Sequence, residues 1–257
     1  MHRKFFGVIC SVLLIVAVNG CGGGGGGGSA GGGGGGSTPT EGPLLVASGI
    51  SLPEVASGKV AFGDVDGDGD FDLAIAGSNQ LYICLNNGGS FSSQTLAGLS
   101  NAALAWGDYD NDDDIDLVVC GLEAGVAVTK IYKNDGAILT FDGQALPAVT
   151  DGCLAWADFD NDFDFDLALC GSQGGAPFAK ILLNAGGGLL SDSGLVIPQL
   201  DGSLAWGDID EDGDLDLIIG GSDGATERVV LLLNNGGTFT ESAHTFPALA
   251  QTVFSFG

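Results

Sequence analysis

Four short stretches of the chain hold aspartates at a spacing that calls for a hard cation. In each, carboxylates stand at relative positions 1, 3, 5 and 9: Asp64, Asp66, Asp68 and Asp72; Asp108, Asp110, Asp112 and Asp116; Asp158, Asp160, Asp162 and Asp166; Asp208, Asp210, Asp212 and Asp216. Carboxylates packed this closely repel one another unless a positive partner sits among them. A divalent ion that takes six to eight oxygens at about 2.3–2.6 Å removes the conflict, and an all-protein carboxylate cage suits calcium better than magnesium. Position 6 is Gly69 or Gly213 in the outer pair of loops, which suits a sharp turn, and Asp113 or Phe163 in the middle pair. Aspartate tolerates a left-handed backbone and phenylalanine does so poorly. The third loop is therefore expected to be the weakest of up to four calcium sites. An EF-hand is excluded, because position 12 is Ile75, Val119, Leu169 or Ile219 where that motif needs a bidentate Glu.

Chemistry beyond binding finds little support. Only two histidines occur, His2 and His244, and His244 reads as a surface residue beside an outer strand. A glycosidase needs two carboxylates about 5–10 Å apart outside the metal loops. The acids outside the loops, such as Glu123, Asp142, Asp192 and Glu241, show no repeated or clustered arrangement. Gly171–Gly175 leads to no Lys-Ser/Thr pair, so a phosphate loop is absent. The loops hold 22 of the 33 acidic residues, counting Asp113 and Glu211, so the net charge of −26 is mostly local site chemistry. A chain that acidic repels phosphate backbones, which excludes sequence-independent nucleic-acid binding.

The elements that position these loops repeat. The leading aspartates are 44, 50 and 50 residues apart. Each loop follows an apolar run (Val60-Ala-Phe-Gly, Leu104-Ala-Trp-Gly, Leu154-Ala-Trp-Ala, Leu204-Ala-Trp-Gly) and precedes another that opens at Leu73, Leu117, Leu167 or Leu217. A second landmark follows at Asn86, Asn134, Asn184 and Asn234, each leading to a Gly. In the second repeat, strands are expected at Ala103–Gly107, Leu117–Cys120, Lys130–Lys133 and Ile138–Phe141, with type I′ hairpin chemistry at Asn-Asp-Gly. No window holds a 3.6-residue period, so the fold is all-β. Four strands every 44–50 residues are the signature of a β-propeller blade, with Trp106, Trp156 and Trp206 as core between blades.

These residues resemble the FG-GAP/VCBS repeats, whose calcium-loop blades also occur in the propellers of integrin α-chains. The resemblance covers about residues 44–257. It implies that Asp70, Asp114, Asp164 and Asp214, at position 7, lend a backbone carbonyl to the ion. It is compatible with two functions. One is a recognition or adhesion module for an extracellular protein or glycan, without catalysis. The other is a polysaccharide-active enzyme or an accessory domain of one. The missing catalytic constellation favours the first.

The first 20 residues read as an address. His2, Arg3 and Lys4 precede an apolar run from Phe5 to Val18, right for a signal peptide and short for a membrane span. Val18-Asn19-Gly20-Cys21 resembles a bacterial lipobox, which makes Cys21 the lipidated membrane anchor and Gly22 an outer-membrane or cell-surface sorting signal. Residues 21–43 are a Gly-rich tether with an r.m.s. span of roughly 25 Å. Four cysteines in an exported chain permit disulfides, but Cys120 and Cys170 hold equivalent places inside apolar runs, so free buried thiols are expected over a disulfide frame among Cys84, Cys120, Cys153 and Cys170. At the ends, Leu44–Ser48 resembles an outer strand and Phe254–Gly257 an innermost strand. The expectation is four full blades with partial blades at both ends, a truncated piece of a longer propeller, with a ring closing on four as the alternative.

Overall fold

The computed structural model describes residues 50–247. The signal, the lipidated cysteine, the tether and both partial blades lie outside the described residues.

All regular structure within that range is antiparallel sheet, in four sheets of four strands joined in sequence order. The first blade is β1 (Lys59–Gly63), β2 (Asp72–Gly77), β3 (Gln80–Asn87) and β4 (Ser90–Ala97). The second is β5 (Ser100–Gly107), β6 (Asp116–Glu123), β7 (Val126–Asp135) and β8 (Ile138–Phe141). The third is β9 (Thr150–Ala157), β10 (Asp166–Gln173), β11 (Ala176–Asn184) and β12 (Leu190–Asp192). The fourth is β13 (Ser203–Gly207), β14 (Asp216–Ser222), β15 (Glu227–Asn235) and β16 (Thr238–Glu241). These are β-propeller blades, and each acidic loop joins the first strand of a blade to its second.

Burial follows position within the blade. The second strands are buried over their first six residues, and in the second and third blades neighbouring blades cover both faces. That is why they read as unbroken apolar runs and not as alternating ones. Outer strands are mostly exposed, and Ser90–Ala97 carries polar residues along most of its length.

The core is divided among the junctions between blades. Val65, Leu81, Leu99, Trp106 and Leu117 pack between the first and second blades. Tyr109, Ile131, Trp156 and Leu167 do so between the second and third. Phe159, Ile181, Leu204, Leu217 and half-buried Trp206 do so between the third and fourth. The Trp series is thus inter-blade core. Two of its indole N–H groups reach back to the preceding blade, Trp106 to the Ala61 carbonyl and Trp206 to that of Ala155, both at 3.3 Å, whereas that of Trp156 is buried without a partner among the described residues. Gly107 closes its strand against the Trp156 ring, where a Cβ would stand 2.6 Å from Cδ1. A larger residue there would push adjacent blades apart.

The hairpin after the Asn landmark differs from the expected one by one residue. The two central turn residues are Gly136 (φ 56°) and Ala137 (φ 69°), the left-handed pair of a type I′ turn. Asn134 precedes them, in the strand and fully buried. Its role is elsewhere.

None of the described cysteines forms a disulfide. Burial pushes the Cys84 thiol up to about 11 and the Cys120 thiol up to about 12, so neither is a nucleophile at neutral pH.

Candidate metal centres

Each acidic loop folds around its own first aspartate. Asp158 accepts the backbone N–H of Asp162 at 2.9 Å and of Phe163 at 3.0 Å, and Asp108 and Asp208 accept the equivalent pairs. Position 6 is left-handed throughout: φ is 92° at Gly69, 74° at Asp113, 74° at Phe163 and 97° at Gly213. Phe163 therefore takes the same turn as Asp113 and turns its ring into solvent, 78% exposed. The backbone of the third loop keeps its shape, and the penalty falls on phenylalanine as strain.

Positions 1, 3 and 9 converge. In each of the groups Asp64/Asp66/Asp72, Asp108/Asp110/Asp116, Asp158/Asp160/Asp166 and Asp208/Asp210/Asp216, carboxylate oxygens lie within 4.8 Å of one another. Position 9 is fully buried at the start of the second strand. Asp116 there accepts the N–H of Tyr109 at 3.1 Å and of Asn134 at 2.8 Å. It thereby ties the loop to the Asn landmark, and Asp72, Asp166 and Asp216 do the same. Burial lifts the Asp116 and Asp166 carboxyls to about 7, and neighbouring loop carboxylates add to the rise. Burial likewise raises Asp66, Asp108, Asp158 and Asp160 above the usual carboxylate range.

Positions 5 and 7 stand outside these triads. Asp68, Asp112, Asp162 and Asp212 each accept the N–H of the residue two further on, at 2.8–3.0 Å. The position-7 side chains are latches. Asp70, Asp114 and Asp214 accept the N–H of Gly88, Gly136 and Gly236 in the hairpin turn of the same blade. Asp164 and Asp214 also accept the side-chain amide of Asn111 and Asn161 from the preceding loop, so adjacent loops are linked.

The Asn landmark has its explanation here. Asn134, Asn184 and Asn234 donate from Nδ2 to the carbonyls of Val65, Tyr109 and Phe159, each at 2.7 Å and each in the preceding blade. Sequence reading missed this role, because no local pattern marks a contact that spans 69 to 75 residues.

Sequence reading also missed Lys133. Its ammonium pairs with Asp110 and, at 3.1 Å, with Asp112, two carboxylates of the second loop. The signal was present, since the other repeats place Leu85, Leu183 and Leu233 at this point. Burial pulls Asp112 upward, but the Asp114 N–H and the Lys133 ammonium outweigh it and hold that carboxyl below its usual range. The two carboxylates raise Lys133 above the usual lysine value.

A hard cation fits this donor set. Asp64 Oδ1, Asp110 Oδ1 and Asp160 Oδ1 are buried oxygens with no hydrogen-bond partner, one in each of the first three loops. A buried carboxylate oxygen without a donor is costly, and oxygen-only surroundings select magnesium- or calcium-like ions over soft metals. His244, by contrast, is exposed three residues past β16, and among the described residues its hydrogen bonds are with Ser242. Three acids outside the loops, Glu123, Asp192 and Glu241, are paired with Lys130, Lys180 and Arg228 on the outer strands.

The family model for FG-GAP-like repeats matches residues 64–119, from the first acidic loop through the second. The comparison with curated proteins gives no match. Among solved structures, the chain is similar to an Agrocybe aegerita lectin that recognises non-reducing terminal N-acetylglucosamine. The identity is 18% and the TM-score 0.48, over 71% of this chain and 50% of the lectin. It is also similar to the Photorhabdus luminescens Tc holotoxin pore, at 22% identity and a TM-score of 0.35, over 79% of this chain and 10% of that one. The chain thus spans half the length of the lectin and a tenth of the toxin chain.

Proposed function

We propose that the chain is a non-catalytic recognition module whose loop geometry is set by calcium, displayed at a bacterial surface by a lipid on Cys21. The observation that carries the reading is the convergence of three carboxylates in all four loops, with partnerless buried oxygens in three of them. Asp64, Asp66, Asp68 and Asp72 would hold the first ion, and the same positions the other three. By resemblance to FG-GAP/VCBS repeats, the carbonyls of Asp70, Asp114, Asp164 and Asp214 would complete each set. The ion supplies positive charge and nothing else.

The protein's own residues do the rest. Position 9 links the ion's loop to the buried Asn, and the Asn links it to the preceding blade. Neutralising a loop therefore firms a junction, and with it the surface that two blades present together.

Equilibrium dialysis of the full chain against calcium, read as ions bound per chain, is the direct test. Four ions are expected, and none at millimolar calcium would refute the reading. For the anchor, Cys21→Ser should abolish labelling by a palmitate analogue and release the protein in soluble, exported form.

A further inference from the structure

The three junctions between described blades can be compared residue by residue. The hairpin registers pair Asn86 with Phe91, Asn134 with Leu139, Asn184 with Leu190 and Asn234 with Phe239, so the third hairpin is one residue longer. Counting from these pairs, the first junction places Val65, Leu85 and Leu96 together in one apolar cluster. The third junction does the same with Phe159, Leu183 and Leu195, around a cleft of about 230 Å³. At the middle junction these three places hold Tyr109, Lys133 and Gln144, and the cleft is about 500 Å³. Each apolar residue has become one that carries hydrogen-bonding atoms.

The floor of this cleft is tied together by stacking and hydrogen bonds. Tyr109 stacks on Trp156 with ring centres 6.0 Å apart and donates its hydroxyl to Asp142 at 3.3 Å. Gln144 donates to Asp142 and to the Gly188 carbonyl, and accepts the Leu190 N–H at 2.9 Å. Gln144 is therefore a positioning residue, holding the Gly-rich hairpin of the third blade against the second. Groups above the floor keep capacity to bond a ligand. The Lys133 ammonium has three donors and uses two. Among the described residues, the Asp135 carboxylate and Thr140 hydroxyl at the rim make no hydrogen bond. Ile138, 68% exposed, and Leu189, 69% exposed, form an apolar wall beside them, while the Phe141 ring turns to the other face of β8 against Tyr132.

We propose that this cleft is a ligand site for a saccharide without acidic groups, which rests on the reading of the chain as a recognition module. A volume of about 500 Å³ lies in the range of small-molecule sites. Mixed donors and acceptors beside an apolar wall match a ring with hydroxyls at its edge and C–H groups on its face. An anionic sugar would meet Asp135 and Asp142 on a chain of net charge −26, and the Lys133 ammonium, held by Asp110 and Asp112, does not offset them. A ring without an acidic group avoids that repulsion.

The test is an array of neutral, amino and acidic glycans probed with the calcium-loaded full chain, followed by calorimetry on the strongest binder. Glycans without acidic groups should be retained. Tyr109→Phe, Asp142→Ser and Gln144→Leu together copy Phe159, Ser193 and Leu195 of the next junction, and should weaken binding at least tenfold. Thr140→Trp, which blocks the cleft from the exposed strand β8, should do the same without touching the floor, and a melting curve for each variant establishes that it is folded. Retention of acidic glycans alone, or of none, overturns the proposal. So does unchanged affinity in a folded Thr140→Trp variant. Calcium stoichiometry, measured separately, reports on the recognition-module reading whichever way the glycan result falls.

Discussion

The second and fourth acidic loops hold aspartates at the same five positions and fold them through the same amide bonds, yet they stand in different electrostatic states. In the second, Lys133 places an ammonium against Asp110 and Asp112. In the fourth, Leu233 occupies that position, and Asp208 and Asp210 are exposed. The comparison separates two requirements that the repeat meets together. Ligand geometry comes from backbone amides within the loop and is the same in both. Charge balance comes from outside the loop, and the second blade supplies part of it from its own third strand.

The largest effect should come from removing calcium altogether. Binding to the native state alone adds about 2.7 kcal/mol per site at a hundredfold excess over Kd. Chelation should therefore lower the melting temperature by many degrees, and an unchanged melting temperature would break the comparison at its root. Next in size is the loss of a single loop. Asp212→Ala should remove about one bound ion per chain, whereas Asp223→Ala should leave the stoichiometry intact, because Asp223 only caps the turn at Ala225 and Thr226.

The exchange of Lys133 and Leu233 sharpens the contrast itself. Lys133→Leu should tighten calcium binding at the second loop about tenfold, worth about 1.4 kcal/mol. Leu233→Lys should weaken the fourth by a similar factor. Site-resolved calcium titration by NMR measures both, and equal affinities before and after would show the ammonium to be a bystander.

The smallest effect is a pH dependence. Asp116 and Asp166 bind protons more tightly in the folded chain, at about 7, than at the ordinary value of 3.8. Their contribution to stability is thus complete below about pH 4 and is lost as pH rises through 7. Metal-free protein should melt higher at pH 5 than at pH 8. Calcium competes with these protons, so the loaded protein should show the reverse.

The amino-acid sequence determined the blades and the loops. Four in-register copies fixed the β-class, and β8 begins and ends where Ile138–Phe141 was expected. The first strand of the second blade starts earlier than the apolar run suggests, at Ser100, because pairing with β6 continues past a register shift. The loops were legible because carboxylate repulsion is a local property that neighbouring residues reveal. What the third loop does with Phe163 was not, since a turn held by two amide bonds to Asp158 can impose a left-handed backbone on a residue that resists it.

Only the tertiary structure decided how one blade engages the next. The reach of Asn134 to Val65, the placement of Lys133 over Asp110, and the exchange of an apolar seam for Tyr109, Lys133 and Gln144 at the middle junction all join residues far apart in the chain or on different strands. A repeat announces its own hydrophobic pattern and its own ligands. Its contacts with a neighbour depend on blade spacing and hairpin length, and the hairpin with one additional residue between Asn184 and Leu190 is the one that sets Gly188 against Tyr109 and Gln144. The physical reason is that charge spacing and strand period act over a few residues, whereas packing between blades is settled by three-dimensional distance alone.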